Sequence, residues 1–404
     1  MRKPTRGAVF GPILGLVFSA GVCAEDGRIQ LSQMDFSDDP YTYTIAAPGS
    51  YVFTEDITAV KEGFDGIVVV ADDVAIDLNG FTFSGTGSLS GSGIVQAESN
   101  RNLVVRNGQL ADWGSADEYG IAAMGVGSRV TGVKVFGCGT GIRVGNAGLV
   151  ADCHAASNDL YGIYAGHGGL ISRCVALHNG SHGIRAVGRS VVAGCTSVSN
   201  ATYGIHTGEG SAVGACAVFG NASHGLRVED GTAVHGCTAT ANSGASADGV
   251  YGQLGVVVKA CASEGNGDDG FYGNLGCLFA DCTSTRNGDQ GFYVQSGVAI
   301  RESAASGNAE NGIWMVGDSL VAGNVCASNA FAGVYTAGNG SYIRGNHLAG
   351  NTRGVDLDSS TNLVVQNSVV WNTQTNFSVS AGNIIGSRTV SSISPYETSN
   401  FDIP

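Results

Sequence analysis

Tyr161, His182, Tyr203 and His224 each stand immediately before a glycine, and Tyr164, Arg185, His206 and Arg227 each stand two positions after it, all at a spacing of 21 residues. Arginine, histidine and tyrosine together suit chemistry on an anionic substrate. A guanidinium grips a carboxylate through two parallel hydrogen bonds and neutralises it. An imidazole exchanges protons near neutral pH, and a suitably placed phenol acts as acid or base. β-Elimination from a uronate needs these three services: neutralisation of the carboxylate, removal of the C5 proton and protonation of the leaving oxygen. In that scheme Arg185 or Arg227 binds the carboxylate. His206 or His224, with His182 beside them, is the base, and Tyr203 or Tyr164 is the acid or an alternative base.

The second position after the glycine continues as Tyr251, Tyr272, Tyr293, Trp314 and Tyr335. With Tyr161 and Tyr164 these rings are the substrate-binding candidates, because flat apolar faces with polar tips suit stacking on sugar rings. Aromatic residues on a strand also stabilise the sheet itself. The position before the glycine becomes Asp248 and then Asp269, with Asp268 adjacent. These carboxylates have three readings. Asp248, Asp268 and Asp269 would bind Ca²⁺, which helps to neutralise a substrate carboxylate. Asp248 and Asp269, about one coil apart, would be the acid and base of a glycoside hydrolase. Alternatively, "NGDDG" is simply favourable turn chemistry.

Groups this far apart in sequence act together only if the chain returns to the same place every 21 residues. The blocks starting at 146, 167, 188 and 209 align without gaps, and a glycine followed by an apolar residue recurs fourteen times between Gly66-Ile67 and Gly354-Val355. Each block holds three short alternating runs separated by turn residues, with no helical period. The composition agrees: 64 Gly, 6 Pro and 13% charged residues belong to a glycine-punctuated repeat architecture. The fold class expected is therefore an all-β solenoid of about 14 rungs, mostly of 21 residues, stacked at ~4.8 Å into a rod on the order of 70 Å long. Period-two alternation turns the apolar residue after each glycine inward and the following residue outward, so the Arg/His/Tyr/Trp column faces solvent.

Two other columns read as structural. Asn158, Asn179, Asn200, Asn221, Asn242, Asn266, Asn287, Asn308 and Asn329 share one slot, which suits a hydrogen-bonded amide ladder. Cys153, Cys174, Cys195, Cys216, Cys237, Cys261 and Cys282 share another. Their parallel side chains cannot surround one tetrahedral ion and are expected to pack as small hydrophobes. Extra residues at 112–119 and 243–248 precede Gly-apolar strands and should rise on the rim of the site face. Residues 25–60 and 380–404 break the repeat and are assigned as terminal caps around a solenoid spanning 61–379.

These coils, together with the segment "PGSYVFTEDITAVKEGFDGIVVVADDVAIDLNGFTFSG", resemble secreted proteins of the pectate-lyase-like superfamily. The resemblance covers nearly the whole chain after residue 24. It implies a single-stranded right-handed parallel β-helix, but it does not choose among polysaccharide lyases, glycoside hydrolases, uronate epimerases and non-catalytic adhesins. "GHG" at 166–168 and "NGDDG" at 266–270 stand in the opposite chain order to the polygalacturonase motifs, and no "DPHD" run occurs.

Residues 1–24 carry Arg2, Lys3 and Arg6, then an apolar run, and end at Ala24; they read as a signal peptide, placing the protein outside the cytoplasm, secreted or periplasmic. Cleavage would leave 17 Lys and Arg against 34 Asp and Glu, a net charge of −17. Such a chain repels nucleic acid, and no later apolar run is long enough for membrane insertion. The expected partner is a polysaccharide, anionic if the Arg/His patch is its site, bound by a monomer. A lyase acting on a uronate glycan is the leading expectation. The alternatives are a glycan-binding or adhesion protein without catalysis, and the hydrolase built on Asp248 and Asp269.

Overall fold

The computed structural model describes residues 27–38, 41–59, 61–87, 91–115, 117–389 and 400–403; the expected signal peptide, residues 1–24, lies outside them. One coil shows how the repeat is built. Strand Ile163–Ala165 is followed by Leu170–Ser172 and Val175–Leu177. Arg173, at φ 51°, turns the chain between the second and third strands, and His178, at φ 54°, turns it after the third. A left-handed residue makes a corner of one position, at a cost of roughly 1–2 kcal/mol for a residue other than glycine. In the next coils the first corner falls to Gly194 and Ala215, and the second to Ser199 and Gly220.

A one-residue corner barely interrupts hydrogen bonding, so the second and third strands of all coils join into one 32-stranded sheet. The first strands stack separately as a 16-stranded parallel sheet, here termed the site sheet. Its register is unbroken. Ile163, Ile184, Ile205, Leu226, Val250 and Phe271 lie side by side in successive strands, and all are 0% exposed in the core. The three extra residues before Val250 leave that register unchanged. Sixteen strands exceed the fourteen expected because Tyr43–Ile45 and Thr375–Val379 join the sheet without a Gly-apolar pair. At the N-terminal end Phe36, in the short 3₁₀ turn Gln33–Phe36, packs its ring 5.3 Å from Phe83.

The asparagine column is a continuous ladder: Asn200 donates its backbone N–H and its Nδ2 to Oδ1 of Asn221 at 3.0 Å, and Asn221 repeats the pattern on Asn242 at 3.1 and 3.0 Å. The ten cysteines among the described residues are free and buried. In their slot the backbone N–H of the preceding coil points at sulfur, as from Cys195 to Cys216 Sγ at 3.5 Å. Beyond Cys282 the same slot passes to Ser303, Asn324, Asn346 and Asn367, which accept that N–H at 2.9–3.1 Å. Thiols and amides thus fill one structural position with acceptors of different strength.

Candidate functional site

The site sheet carries the outward column in unbroken register: Arg143, Tyr164, Arg185, His206, Arg227, Tyr251, Tyr272, Tyr293, Trp314 and Tyr335 lie on successive strands. Each is half-buried, held between its neighbours above and below.

In the N-terminal half of this column the side chains hydrogen-bond to one another, mostly between neighbouring coils. His206 Nε2 lies 3.0 Å from Glu229 Oε1, and Arg227 Nε donates to the same oxygen at 3.2 Å. Arg227 Nη1 donates to the Tyr203 hydroxyl at 3.4 Å, with the guanidinium set between the Tyr203 and Tyr251 rings. His206 Nδ1 is 3.5 Å from His182 Nε2, and His182 Nδ1 contacts the Thr202 hydroxyl. Burial, followed by the charge of Arg185, pushes His206 down to about 4, against the pull of Glu229. Burial and the charges of His206, Arg185 and Arg227 push His182 down to about 4 as well. Burial pushes the Glu229 carboxyl up, but the hydrogen bonds from His206 and Arg227 outweigh it and hold it below the usual glutamate range. At neutral pH both histidines are therefore neutral and Glu229 is ionised, so His206 donates from Nε2 and leaves Nδ1 unprotonated. Arg185 Nη1 is buried without a hydrogen-bond partner.

The structure thus brings together His182, Tyr203, His206, Arg185 and Arg227, as their spacing indicates. Glu229 was not foreseen. It sits two residues after Arg227 on the same strand edge, where period-two alternation points it outward; that alternation was the available signal. Arg143 and Tyr119 were also missed as site residues. Arg143 lies between the Tyr119 and Tyr164 rings and is flanked by two cavities, of about 320 and 230 Å³. The smaller is lined by Asp117 and Tyr119 from the 112–119 insertion, together with Tyr161 and Tyr164.

The aromatic column differs from its expected use. Tyr251, Tyr272, Tyr293 and Trp314 stack on one another with ring centroids 4.6, 5.2 and 4.3 Å apart and planes within 11° of parallel, and Tyr335 follows at 5.8 Å. The stack continues through His224, 4.9 Å from Tyr251 and 5.4 Å from Tyr203, and ends there: His182 and Tyr161 follow at 4.8 and 5.3 Å with their planes tilted by 32° and 58°. Ring faces consumed by one another cannot also stack on sugars. What these residues present to solvent is their edges, with the hydroxyl of Tyr335 already bonded to Asp358 at 2.9 Å.

The aspartates also depart from the catalytic reading. Asp248 and Asp269 are 3% and 4% exposed. Each gives an oxygen to a backbone N–H of the next coil, Asp269 at 3.1 Å and Gln290 at 2.9 Å. The ladder continues from Gln290 to Asn311. Burial and the neighbouring Asp248 push Asp269 up to about 9, so it is protonated at neutral pH. A glycoside hydrolase pair must reach substrate, and these two carboxyls do not. His224 is tied to the same ladder, its Nδ1 accepting from the Asp248 backbone N–H at 3.1 Å. Asp268 is half-buried, and burial with Asp248 and Asp289 nearby pushes it up to about 6. One oxygen from each of Asp248, Asp268 and Asp269 falls within 4.8 Å of the others, the donor type and span that a Ca²⁺ ion uses.

Residues 65–215 match the family model described as "Right handed beta helix region". The chain is a right-handed parallel β-helix. That is the fold implied by its resemblance to pectate-lyase-like proteins. No curated protein is matched by this β-helix. Among solved structures, it is similar to the periplasmic alginate epimerase AlgG at 14% identity, covering 87% of this chain and 83% of that one with a TM-score of 0.44. It is similar to the A-module of the Azotobacter vinelandii mannuronan C-5 epimerase AlgE6 at 13% identity, over 89% and 91% of the two chains with a TM-score of 0.40. Pectate lyase Pel9A follows at 15% identity, over 78% and 70%, with a TM-score of 0.32. At this level no residue role passes from those proteins to the β-helix. Among the described residues no helix is long and apolar enough to cross a membrane.

Proposed function

We propose that this protein is a secreted or periplasmic monomer that binds an anionic polysaccharide along the site sheet and cleaves it next to a uronate by β-elimination. The observation that carries this reading is the His206–Glu229 pair at 3.0 Å beside the unpartnered, buried Nη1 of Arg185. Glu229 fixes the tautomer of His206 and so aims an unprotonated Nδ1 at the face. The 3.5 Å separation from His182 is too long to hold that lone pair firmly. A uronate carboxylate on Arg185 offsets the cation that lowers His206, so the imidazole becomes a stronger base as substrate arrives. Nδ1 takes the C5 proton, the C4–C5 double bond forms and the C4–O bond breaks. Tyr203, whose hydroxyl oxygen accepts from Arg227, retains its own proton for the leaving oxygen.

Incubation with a panel of uronate glycans tests this through the ultraviolet absorbance of the unsaturated product, which hydrolysis does not create. The expected result is rising absorbance on at least one member. Retardation in an affinity gel with no absorbance on any member assigns the second reading, glycan binding without catalysis. That reading is favoured by the depression of both histidines to about 4 in the unliganded protein.

A further inference from the structure

The site sheet builds one clamp twice. Arg227 lies between Tyr203 and Tyr251, its guanidinium carbon 5.5 and 5.2 Å from the ring centroids, and donates from Nη1 to the Tyr203 hydroxyl at 3.4 Å. Four strands earlier in the same column, Arg143 lies between Tyr119 and Tyr164 at 5.4 and 5.0 Å, and donates from Nη1 to the Tyr119 hydroxyl at 2.7 Å. The two copies differ at one point. Nε of Arg227 donates to Glu229 at 3.2 Å, whereas Nε of Arg143 is buried and has no hydrogen-bond partner. Arg143 forms no ion pair among the described residues, although the chain carries a net charge of −14.

The position matching Glu229 is Gly145, where an added Cβ would come 1.9 Å from the carbonyl oxygen of Met124. The backbone as it stands therefore admits no side chain there. Instead a cavity of about 320 Å³ opens, lined among others by Arg143, Gly145, Asn146, Tyr164, His167 and Glu98. We propose that Arg143 is a carboxylate-binding subsite, in which a uronate carboxylate of the bound glycan takes the place that Glu229 takes on Arg227. The edge used is the one formed by Nε and Nη2. Arg173 shows that edge at work in this chain, gripping Asp152 at 2.7 and 2.8 Å. A buried donor without an acceptor carries a desolvation cost that such a ligand removes. Arg143 and Arg185 stand two strands apart, roughly 10 Å along the rod, which places this subsite beside the reacting sugar rather than on it.

The inference rests on the proposed function, and its test separates the two. Calorimetric titration uses tetrasaccharides of galacturonate, mannuronate and guluronate, and the methyl esters of the same tetrasaccharides. The wild-type protein is expected to bind at least one acid more tightly than its ester. Arg143→Gln should weaken binding of that acid on the order of 10- to 100-fold and leave the ester unchanged. Arg143→Lys should recover only part of the loss, because a point charge cannot present a two-bond edge. Arg301→Gln, an equal change of charge on another face, should have no effect. If Arg143→Gln binds the acid as the wild type does, the subsite is overturned while the glycan reading stands. If the wild type binds none of the acids, the glycan reading itself fails. Should Arg143→Gln not fold, as judged by its melting curve, Arg143→Lys decides: wild-type affinity in that variant overturns the two-bond edge.

Discussion

The two halves of the site sheet share one backbone register and one repeat length, yet they direct their polar groups differently. From Arg143 to Arg227 the hydrogen bonds join side chain to side chain, mostly between neighbouring coils: Arg143 to Tyr119, His206 and Arg227 to Glu229, Arg227 to Tyr203. From Asp248 to Asn311 each side chain instead accepts a backbone N–H of the next coil. A group bonded to a neighbouring side chain can exchange that partner for a ligand. A group satisfying a buried backbone amide cannot leave it without a cost of about 1–3 kcal/mol. The second half is richer in rings and carboxyls, but the first half is the one free to do chemistry.

The largest change is expected at His206. His206→Asn should lower turnover of the cleaved glycan by about 10²- to 10⁴-fold with little change in KM, while Asp269→Asn leaves turnover near the wild-type value. Steady-state kinetics on both variants checks this, and the reverse pattern moves the reaction to the aspartates. Next, Tyr272 stacks on both Tyr251 and Tyr293 at 4.6 and 5.2 Å. At ~0.5–1.5 kcal/mol per aromatic pair beyond the area buried, Tyr272→Ala should cost at least about 1–3 kcal/mol of unfolding free energy in denaturant titration. Glycan affinity should hardly change; a large loss of affinity instead would show that ring edges contact the ligand directly.

Calcium would act on the second half of the sheet alone. If Asp248, Asp268 and Asp269 hold Ca²⁺, a fixed concentration of the ion, ten times its Kd at pH 8, should stabilise the fold at that pH by about 1.4 kcal/mol. The effect should be greater at pH 8 than at pH 5, because the ion competes with the carboxyl protons. Asp268→Asn should abolish it, and a flat response in thermal melts at both pH values removes these residues as a ligand set.

Stability also depends on pH, and the two halves contribute with opposite signs. His182 and His206 titrate at about 4 when folded, against ~6.5 in an unfolded chain. The unfolded state therefore binds more protons between those values, and stability falls as pH drops from about 6.5 toward 4. Asp269 titrates at about 9 when folded, against ~3.9 unfolded. There the folded state binds the extra proton, so stability falls as pH rises from about 4 toward 9. Melting temperature against pH should form a dome; Asp269→Asn should flatten its alkaline side and His206→Asn its acid side.

Much of this was legible in the chain. Asn221 stands in its amide ladder and Arg185 and His206 lie side by side, because a solenoid of constant rung length converts sequence period directly into spatial neighbours. The aromatic column was legible as a column, but its ring planes were not. Tyr272 and Tyr293 could face a sugar or face each other with the same spacing, and only packing between strands settles the side-chain torsions. Asp269 reads as turn, ligand or catalyst in "NGDDG"; burial to 4% and its bond to Gln290 select the backbone ladder.

Which residues share a face, and in what order along the rod, follows from a period of 21 and an alternation of two and from nothing else. Contacts in space determine which of them are free. Alternation places Glu229 beside Arg227 and Gly145 beside Arg143, but only the folded chain shows that Glu229 bonds Nε of Arg227 and that Nε of Arg143 stays unbonded beside a cavity lined by Met124 and Tyr164. Hydrogen-bond satisfaction is a property of three-dimensional contact at under about 3.5 Å, and no spacing along the chain reports it.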